Sequence, residues 1–393
     1  IYDILGGDDG RKLYDAVQKA IDKAKTLGAD IIIGLGHLGV DPSSSPWTSE
    51  EVIAHTSGFD AFIDGHSHTV MENKQVQDAS GKAVTLTQTG SYFANVGEMT
   101  IAADGTITTK LIPTHEGMDA GIAAMQTSWV NTVDDMLGEK IAVGDSDFYV
   151  SDPATGKRRI RSAETNLGDF VADGIYTYFN EVEKLHCDVA IMNGGGIRAD
   201  VPAGDWTFKT CKQVSPFGNV ACLMSVTGKQ IQDALEFAAR FAGEDGKENG
   251  GFLQVAGATY EIHTDIPNTV QTDEKNVWIG SATGTPRVQN VKVYDKASGS
   301  YLPLDPGATY ALAGMNYTLR NLGDGFAMFD GAELIKDYVS EDYLVMSTYA
   351  MIFDGADAAG LPHLSSANSP LAAYPGYLLN YEQPYGAGRI TIL

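Results

Sequence analysis

The sequence predicts two folded parts of different class, an α/β part followed by an α+β part, joined by a single helix. Three observations carry this. Near the amino end, apolar strand-like runs alternate with helical stretches and break into glycine-histidine loops; from Ala83 the pattern changes to alternation; and beyond Leu137 a second set of strands and helices brings its own glycine-rich turn. Length agrees, because 393 residues exceed one average domain.

In the first part, Leu13, Val17, Ile21 and Ala24 mark one face of a helix over Arg11 to Leu27, which Gly28 ends. Ile31, Ile32 and Ile33 then predict a buried strand running to Leu35. It breaks into Gly36, His37, Leu38 and Gly39. A helix signal around Glu50 to His55 leads to a strand over Phe59 to Asp64, which breaks into Gly65, His66, Ser67 and His68. Parallel strands separated by helices place their carboxyl ends along one rim, so His37, His66 and His68 are expected to converge. One histidine alone would read as an ordinary hydrogen-bonded group; three in this topology favour a metal site. The chain opens without methionine and almost at once enters a helix, the expectation for a processed or truncated product that starts inside a βα unit. In the alternating stretch, Asp104-Gly105 predicts a hairpin turn. Ile122, Met125, Trp129, Val133 and Leu137 then form one stripe of a connecting helix over Met118 to Leu137. The expected parts are residues 1–115, a linker helix at 116–141, and residues 142–393.

Composition narrows the function. Hydrophobic residues at 43%, charged residues at 20% and 44 glycines rule out a coiled coil or a disordered tail. A net charge of -24 repels nucleic-acid polymers and anionic membranes, so an anionic ligand needs a local arginine cluster. No run approaches the ~20 apolar residues of a membrane span. Cys187, Cys211 and Cys222 lack metal-site spacing and read as buried hydrophobes.

The second part carries "DVAIMNGGGIRADVPAGDWT". A buried strand over Val189 to Met192 breaks into Asn193, three glycines, Ile197 and Arg198. Consecutive glycines let backbone N–H groups approach a ligand, and an arginine just beyond can fork onto a phosphate. A plain turn is the other reading. The dinucleotide fingerprint is excluded, because no further glycine falls at its spacing before a helix.

"GLGHLGVD", "DGHSH", "ETNLGD", "NGGGIRADVPAGD", "SPFGNVACLMSVTGKQIQDALE", "GGFLQVAGATYEI" and "NYTLRNLGDGF" occur in that order. Together they make the chain resemble the bacterial 5'-nucleotidase family, which includes periplasmic UDP-sugar hydrolases and 2',3'-cyclic nucleotide phosphodiesterases. The resemblance covers essentially the whole chain, and "NGGGIR" followed by "PFGN" is its most specific part. It implies a carboxyl-terminal remnant of a calcineurin-like metallophosphatase α/β sandwich, a linker helix, and a 5'-nucleotidase C-terminal α+β domain. The implied activity is metal-dependent release of phosphate from nucleotides, with 2',3'-cyclic phosphodiesterase and UDP-sugar hydrolase as variants. Two divalent metals, zinc or manganese, would activate the attacking hydroxide.

Of the family's metal motifs only the last two are present, and His37, His66 and His68 match them. The remaining ligands and the transition-state histidine are expected upstream of Ile1. The chain as given is therefore expected to lack a catalytic residue and to hold at most one weakly bound metal. It is also expected to cover its open sheet with an amino-terminal fragment or a second chain. For the second part the resemblance implies a nucleotide or nucleoside ligand. Arg161 and Arg198 would hold phosphate, Asn193 and Asn219 would contact the base, Phe217 and Tyr317 would stack on its two faces, and Asp324 would bind ribose hydroxyls. Tyr317 stands where phenylalanine is usual, and Arg158 and Arg159 beside Arg161 are alternative anion contacts. The implied location is periplasmic, extracellular or cell-surface. The alternative for this chain alone is a nucleotide-binding module without turnover.

Overall fold

The computed structural model describes residues 9–114, 117–244 and 247–393. The chain divides into two units, Ile1–Ala123 and Ala124–Leu393. The expected joint between residues 115 and 116, and the opening residues 1–8, lie outside the described residues.

In the first unit α1 (Arg11–Thr26) buries Tyr14 and Ile21, with Leu13 and Val17 packed against the same cluster. Gly28 follows with φ 88°, a left-handed position that glycine occupies without strain. Strands β1 (Ile33–Leu35), β2 (Ala61–Asp64), β3 (Val70–Gln77) and β4 (Ala83–Thr89) form a sheet in the order β1-β2-β4-β3. The first two and β4 are parallel, and β3 returns antiparallel. Between β1 and β2, α2 (Ser49–Ala54) starts at a capping box: the Thr48 hydroxyl accepts the Glu51 N–H while Glu51 accepts the Thr48 N–H. Phe59, Phe62, Val84 and Leu86 fill the core with Val52 and Ile53.

One expectation fails here. The Ile31 to Leu35 run is not buried: Ile31, Ile33 and Leu35 are 43%, 40% and 83% exposed. Among the described residues β1 is the edge strand, with a neighbour on one side, and it alternates in burial. Beyond β4, β5 (Asn95–Ile101) and β6 (Ile107–Pro113) pair antiparallel around the expected turn, where Asp104 accepts the Thr106 N–H at 2.9 Å and Gly105 takes φ 85°. Helix α3 (Ala120–Leu137) carries the expected stripe without burying it; Ile122, Met125 and Trp129 are all at least half exposed.

The second unit is built on a five-stranded sheet in the order Leu253–Ala256, Val189–Asn193, Thr309–Met315, Ala221–Thr227, Glu333–Lys336. The second and third of these run parallel, and the other pairs are antiparallel. Side chains alternate between faces along each strand, and both faces are covered. Ala190 and Met192 join a cluster with Phe148, Phe170, Trp206, Tyr349 and Tyr381, while Val189 and Ile191 join one with Leu235, Phe237, Phe252 and Phe326. Cys187 and Cys211 lie in the first cluster and Cys222 in the second, all free and buried, as expected. Burial pushes their thiols up, Cys211 and Cys222 to about 12.

Helix α4 (Asn166–Thr177) is buried along its whole length and packs on the strands Val189–Asn193 and Leu253–Ala256. A second sheet contains the last strand, Ile390–Ile392, paired parallel to Ala258–Ile262. A buried ionic clamp ties this strand to α4. The Arg389 guanidinium is fully buried and donates to Asp173 at 2.8 Å, to the Val255 carbonyl at 2.9 Å and to the Leu378 carbonyl at 2.7 Å. Asp173 also accepts the hydroxyls of Tyr377 and Tyr381, each at 2.7 Å. Glu164, just before α4, accepts the N–H groups of Gly388, Arg389 and Ile390. One turn back from Asp173, Asp169 lies 3.7 Å from the same guanidinium, and its burial raises its pKa well above the usual carboxylate range. Arg389→Ala would leave these buried carboxylates unpaired and should lower stability by about 3–5 kcal/mol. Urea unfolding should show this as a lower midpoint at unchanged slope; a loss below about 1 kcal/mol would remove the clamp from any structural role.

Candidate functional site

Sheet direction decides where the second unit can hold a ligand. The parallel strands Val189–Asn193 and Thr309–Met315 end at one rim, and their antiparallel neighbours Leu253–Ala256 and Ala221–Thr227 begin there. Six of the seven residues expected in the pocket sit at that rim. Asn193 closes its strand; Tyr317 lies in the helical turn Asn316–Leu319 after the next; Asp324 follows in the turn Gly323–Gly325. Phe217 and Asn219 precede Ala221–Thr227, and Arg161 comes from the loop ahead of α4. With Gly195, Gly196 and Gly250, these six line a cavity of about 550 Å³, within the usual size of small-molecule sites.

Arg198, the seventh, stands behind this lining. Its guanidinium donates to the Gly195 carbonyl at 3.4 Å and lies 5.7 Å from the centre of the Phe217 ring. Phe217 is 59% exposed and Tyr317 38%, large exposure for aromatic rings that share one cavity. Asn219 is set by the backbone around it: its N–H donates to the Asp342 carboxylate at 3.1 Å and its carbonyl accepts the Asp342 N–H at 2.8 Å.

The polar floor is ordered without a ligand. Asp324 accepts the Asn193 amide at 3.1 Å on one oxygen and the Tyr317 hydroxyl at 2.9 Å on the other. Burial, with the Asp324 charge second, pushes the Tyr317 hydroxyl up to about 12. The chain turns tightly here: Asp324 itself has φ 54°, and a Cβ on Gly323 would come within 2.5 Å of the Tyr317 ring. Two polar atoms remain unsatisfied, Arg161 Nε and Asn193 Oδ1, both buried and both on residues that line the cavity. Orphaned buried groups of this kind call for a partner.

The arginine run ahead of α4 is sorted by its neighbours. Arg158 pairs with Glu248 at 3.0 Å; Arg159 donates to the Glu164 carbonyl at 2.8 Å and covers the Tyr385 ring. Arg161 is the member that lines the cavity, with Glu248 at 3.6 Å. Its pKa is lowered, first by burial and then by the charges of Arg158 and Arg198, against which Glu248 and Asp324 act. The excess of cations at this point is what a chain of net charge -24 needs to receive an anion.

The triple glycine works differently from the expectation. The N–H groups of Gly194 and Gly195 are used inside the fold, donating to the Phe252 and Gly250 carbonyls at 2.7 Å each. The glycines are required by close backbone approach: a Cβ on Gly194 would lie 2.3 Å from the Ile160 carbonyl oxygen. The turn therefore braces the Arg161 loop.

In the first unit the two histidine loops do meet. The rings of His37 and His66 stand 5.2 Å apart, and Asp64 accepts the Leu38 N–H at 2.9 Å, tying one loop to the other strand. His66 and His68 both have positive φ, 76° and 54°. The structure brings the His37 and His66 rings together, and among the described residues His68 has Tyr92 as its ring neighbour, at 6.1 Å. No group of three His, Cys, Asp or Glu among them is placed to hold a metal ion. Zinc in its usual geometry takes four ligands, and this pair of imidazoles supplies two.

Residues 142–331 match the family model described as the 5'-nucleotidase, C-terminal domain. That stretch is a 5'-nucleotidase C-terminal domain by its match. The chain is 30% identical over 341 residues to the trifunctional nucleotide phosphoesterase protein YfkN of Bacillus subtilis, covering 84% of this chain and 21% of that protein. It is 26% identical over 363 residues to human 5'-nucleotidase, covering 85% of this chain and 58% of that one. The chain thus spans less than two thirds of either relative. The crystal structure of a 5'-nucleotidase precursor from Thermus thermophilus superposes with a TM-score of 0.62 at 24% identity, covering 97% of this chain and 67% of that one. The fold is that of the 5'-nucleotidases.

Within this 5'-nucleotidase domain, two features escaped sequence reading. Gly250 lines the cavity, and its signal was available in the "GGF" of the quoted motif. The contact of Asp342 with Asn219 had no signal, because it joins residues far apart in the chain. Asp342 is buried, which pushes its pKa up to about 6. A carboxyl raised in the folded state holds its proton where the unfolded chain has lost it. Its contribution to stability is therefore greatest below about pH 4 and falls as pH rises to about 6. Asp342→Asn should flatten this: between pH 4.5 and 7 the wild type should lose stability relative to the variant, by roughly 2 kcal/mol. Urea midpoints for both proteins at the two values measure it, and a constant difference would show that Asp342 does not titrate in that range.

Proposed function

We propose that this chain is the nucleotide-recognising part of a 5'-nucleotidase-type phosphohydrolase, a protein that releases phosphate from nucleotides with divalent metals and works outside the cytoplasm. The domain organisation we propose with it is a metallophosphatase part over residues 1–115, a linker helix at 116–141 and a nucleotide-binding domain over 142–393. The supporting observation is one cavity that holds two exposed aromatic rings, an ordered carboxylate, and the unsatisfied Arg161 Nε and Asn193 Oδ1. Those are the parts a nucleotide needs. The rings of Phe217 and Tyr317 take the base, Asn193 and Asn219 its edge, Asp324 the sugar, and Arg161 backed by Arg198 the phosphate. The relatives' names point to the same chemistry, since both are nucleotide phosphoesterases or 5'-nucleotidases.

Titration calorimetry with adenosine and AMP separates these roles. Phe217→Ala should weaken both ligands by similar factors, because stacking is worth about 1–3 kcal/mol per base. Arg161→Ala and Arg198→Ala should weaken AMP well beyond adenosine, since only AMP loses a charge-assisted bond. Equal losses for the two ligands in both arginine variants would remove the phosphate from this end of the cavity.

A further inference from the structure

The two aromatic rings of the cavity come from separate turns, and the backbone joins those turns through successive residues. Asn219, just after Phe217 and Gly218, donates its N–H to the Asp342 carboxylate at 3.1 Å and accepts the Asp342 N–H at 2.8 Å. Val220, the next residue, donates its N–H to the Asn316 side chain at 2.9 Å and accepts the Asn316 N–H at 2.8 Å. Tyr317 follows Asn316 directly. The Phe217 turn is thus clasped on one side to the start of the helix Asp342–Met351, and on the other to the helical turn that carries the second ring.

We infer that Asp342 is a positioning residue for the base: its carboxylate and its N–H, acting through Asn219, hold the Phe217 turn and so set the grip of the cavity on a planar heterocycle. This inference rests on the nucleotide reading of the cavity. Asp342 is 3% exposed and lies outside the cavity lining, so it acts only through the backbone that it holds. Arg161, at the proposed phosphate end, comes from a different loop.

The clasp is tightest with the carboxylate ionised. Both oxygens face N–H donors, Oδ2 that of Asn219 and Oδ1 that of Tyr343 at 2.8 Å. A proton on either oxygen competes with the N–H which that oxygen accepts, and an ionised acceptor makes the stronger bond. The charges that face Asp342 are Lys212, from the helix Phe208–Val214, which favours ionisation, and the adjoining Glu341, which opposes it; the two stand 3.6 Å from each other. Burial, the largest influence, pushes the pKa up to about 6 against the two N–H bonds and Lys212. Affinity for a base therefore rises as pH passes upward through about 6.

Two ligands titrated into the full chain test this: adenosine, and ribose 5-phosphate, which has no base. In D342A adenosine should weaken by about tenfold or more at about pH 7.5, and ribose 5-phosphate by less than about twofold. D342N keeps an acceptor for the Asn219 N–H, so it should bind adenosine to within about threefold of wild type. The pH profile carries the role further. Between about pH 5 and about pH 7.5 adenosine has no titrating group; over that range wild type should tighten on it by about threefold or more, and D342N should stay level. Equal losses of the two ligands in D342A overturn the positioning role. A D342N profile that rises as the wild type's does, or a wild-type profile that stays level, overturns it as well, and needs no folded D342A. A wild type that binds no adenosine overturns the nucleotide reading, and this inference with it.

Discussion

The second unit depends on one buried charge. Arg389 stands immediately before the last strand, with no solvent contact, and its guanidinium is shared among Asp173, two backbone carbonyls and, at longer range, Asp169. Around it Glu164 gathers three consecutive N–H groups. Such an arrangement is expensive in desolvation and adds little net stability over an apolar equivalent, but it admits a single geometry. It locks the start of α4 against the second sheet. The loop that carries Arg161 leads directly into that locked start.

The pocket inherits its rigidity from this. Gln254, fully buried, donates from its side chain to the Ile160 and Ala163 carbonyls at 3.0 and 2.9 Å, so the Arg161 loop is gripped at both sides. The triple glycine closes on the same loop from the other direction, where only a hydrogen fits. The arginines of this cluster repel one another, and a loop fixed at several points keeps them assembled. Rigid sheet ends presenting side chains from short turns are the ordinary way an α/β framework builds a precise polar site.

Much of this was legible in the sequence, and the exceptions have a common physical cause. The helix over Arg11, the capping-box helix after Thr48, the Asp104-Gly105 hairpin and the strand ending at Asn193 are written in local chemistry: periodicity, caps and turn residues. What failed depends on partners. The apolar run ending at Leu35 reads the same whether a face is covered or open, and among the described residues it is an edge with exposed isoleucines. The spacing of His66 and His68 says that both leave one strand end, but not that positive φ at both turns their rings toward different neighbours. Three glycines announce a close approach; whether a ligand or a carbonyl such as Ile160's approaches is a tertiary matter. The residues of the cavity were legible through their motif resemblance, whereas the bond between Tyr317 and Asp324 was not, since a tyrosine in place of phenylalanine shows its hydroxyl only when the loop is built.

The three buried cysteines give the second unit a built-in reporter. Each thiol is held in its protonated form by burial, and none is paired, so the folded protein offers alkylating reagents almost no thiolate. Labelling must then wait for the sheet to open. Cys187 and Cys211 belong to the cluster on one face and Cys222 to that on the other. Following which thiol reacts first would therefore show from which side the sheet loosens, with no probe introduced and no residue of the cavity disturbed.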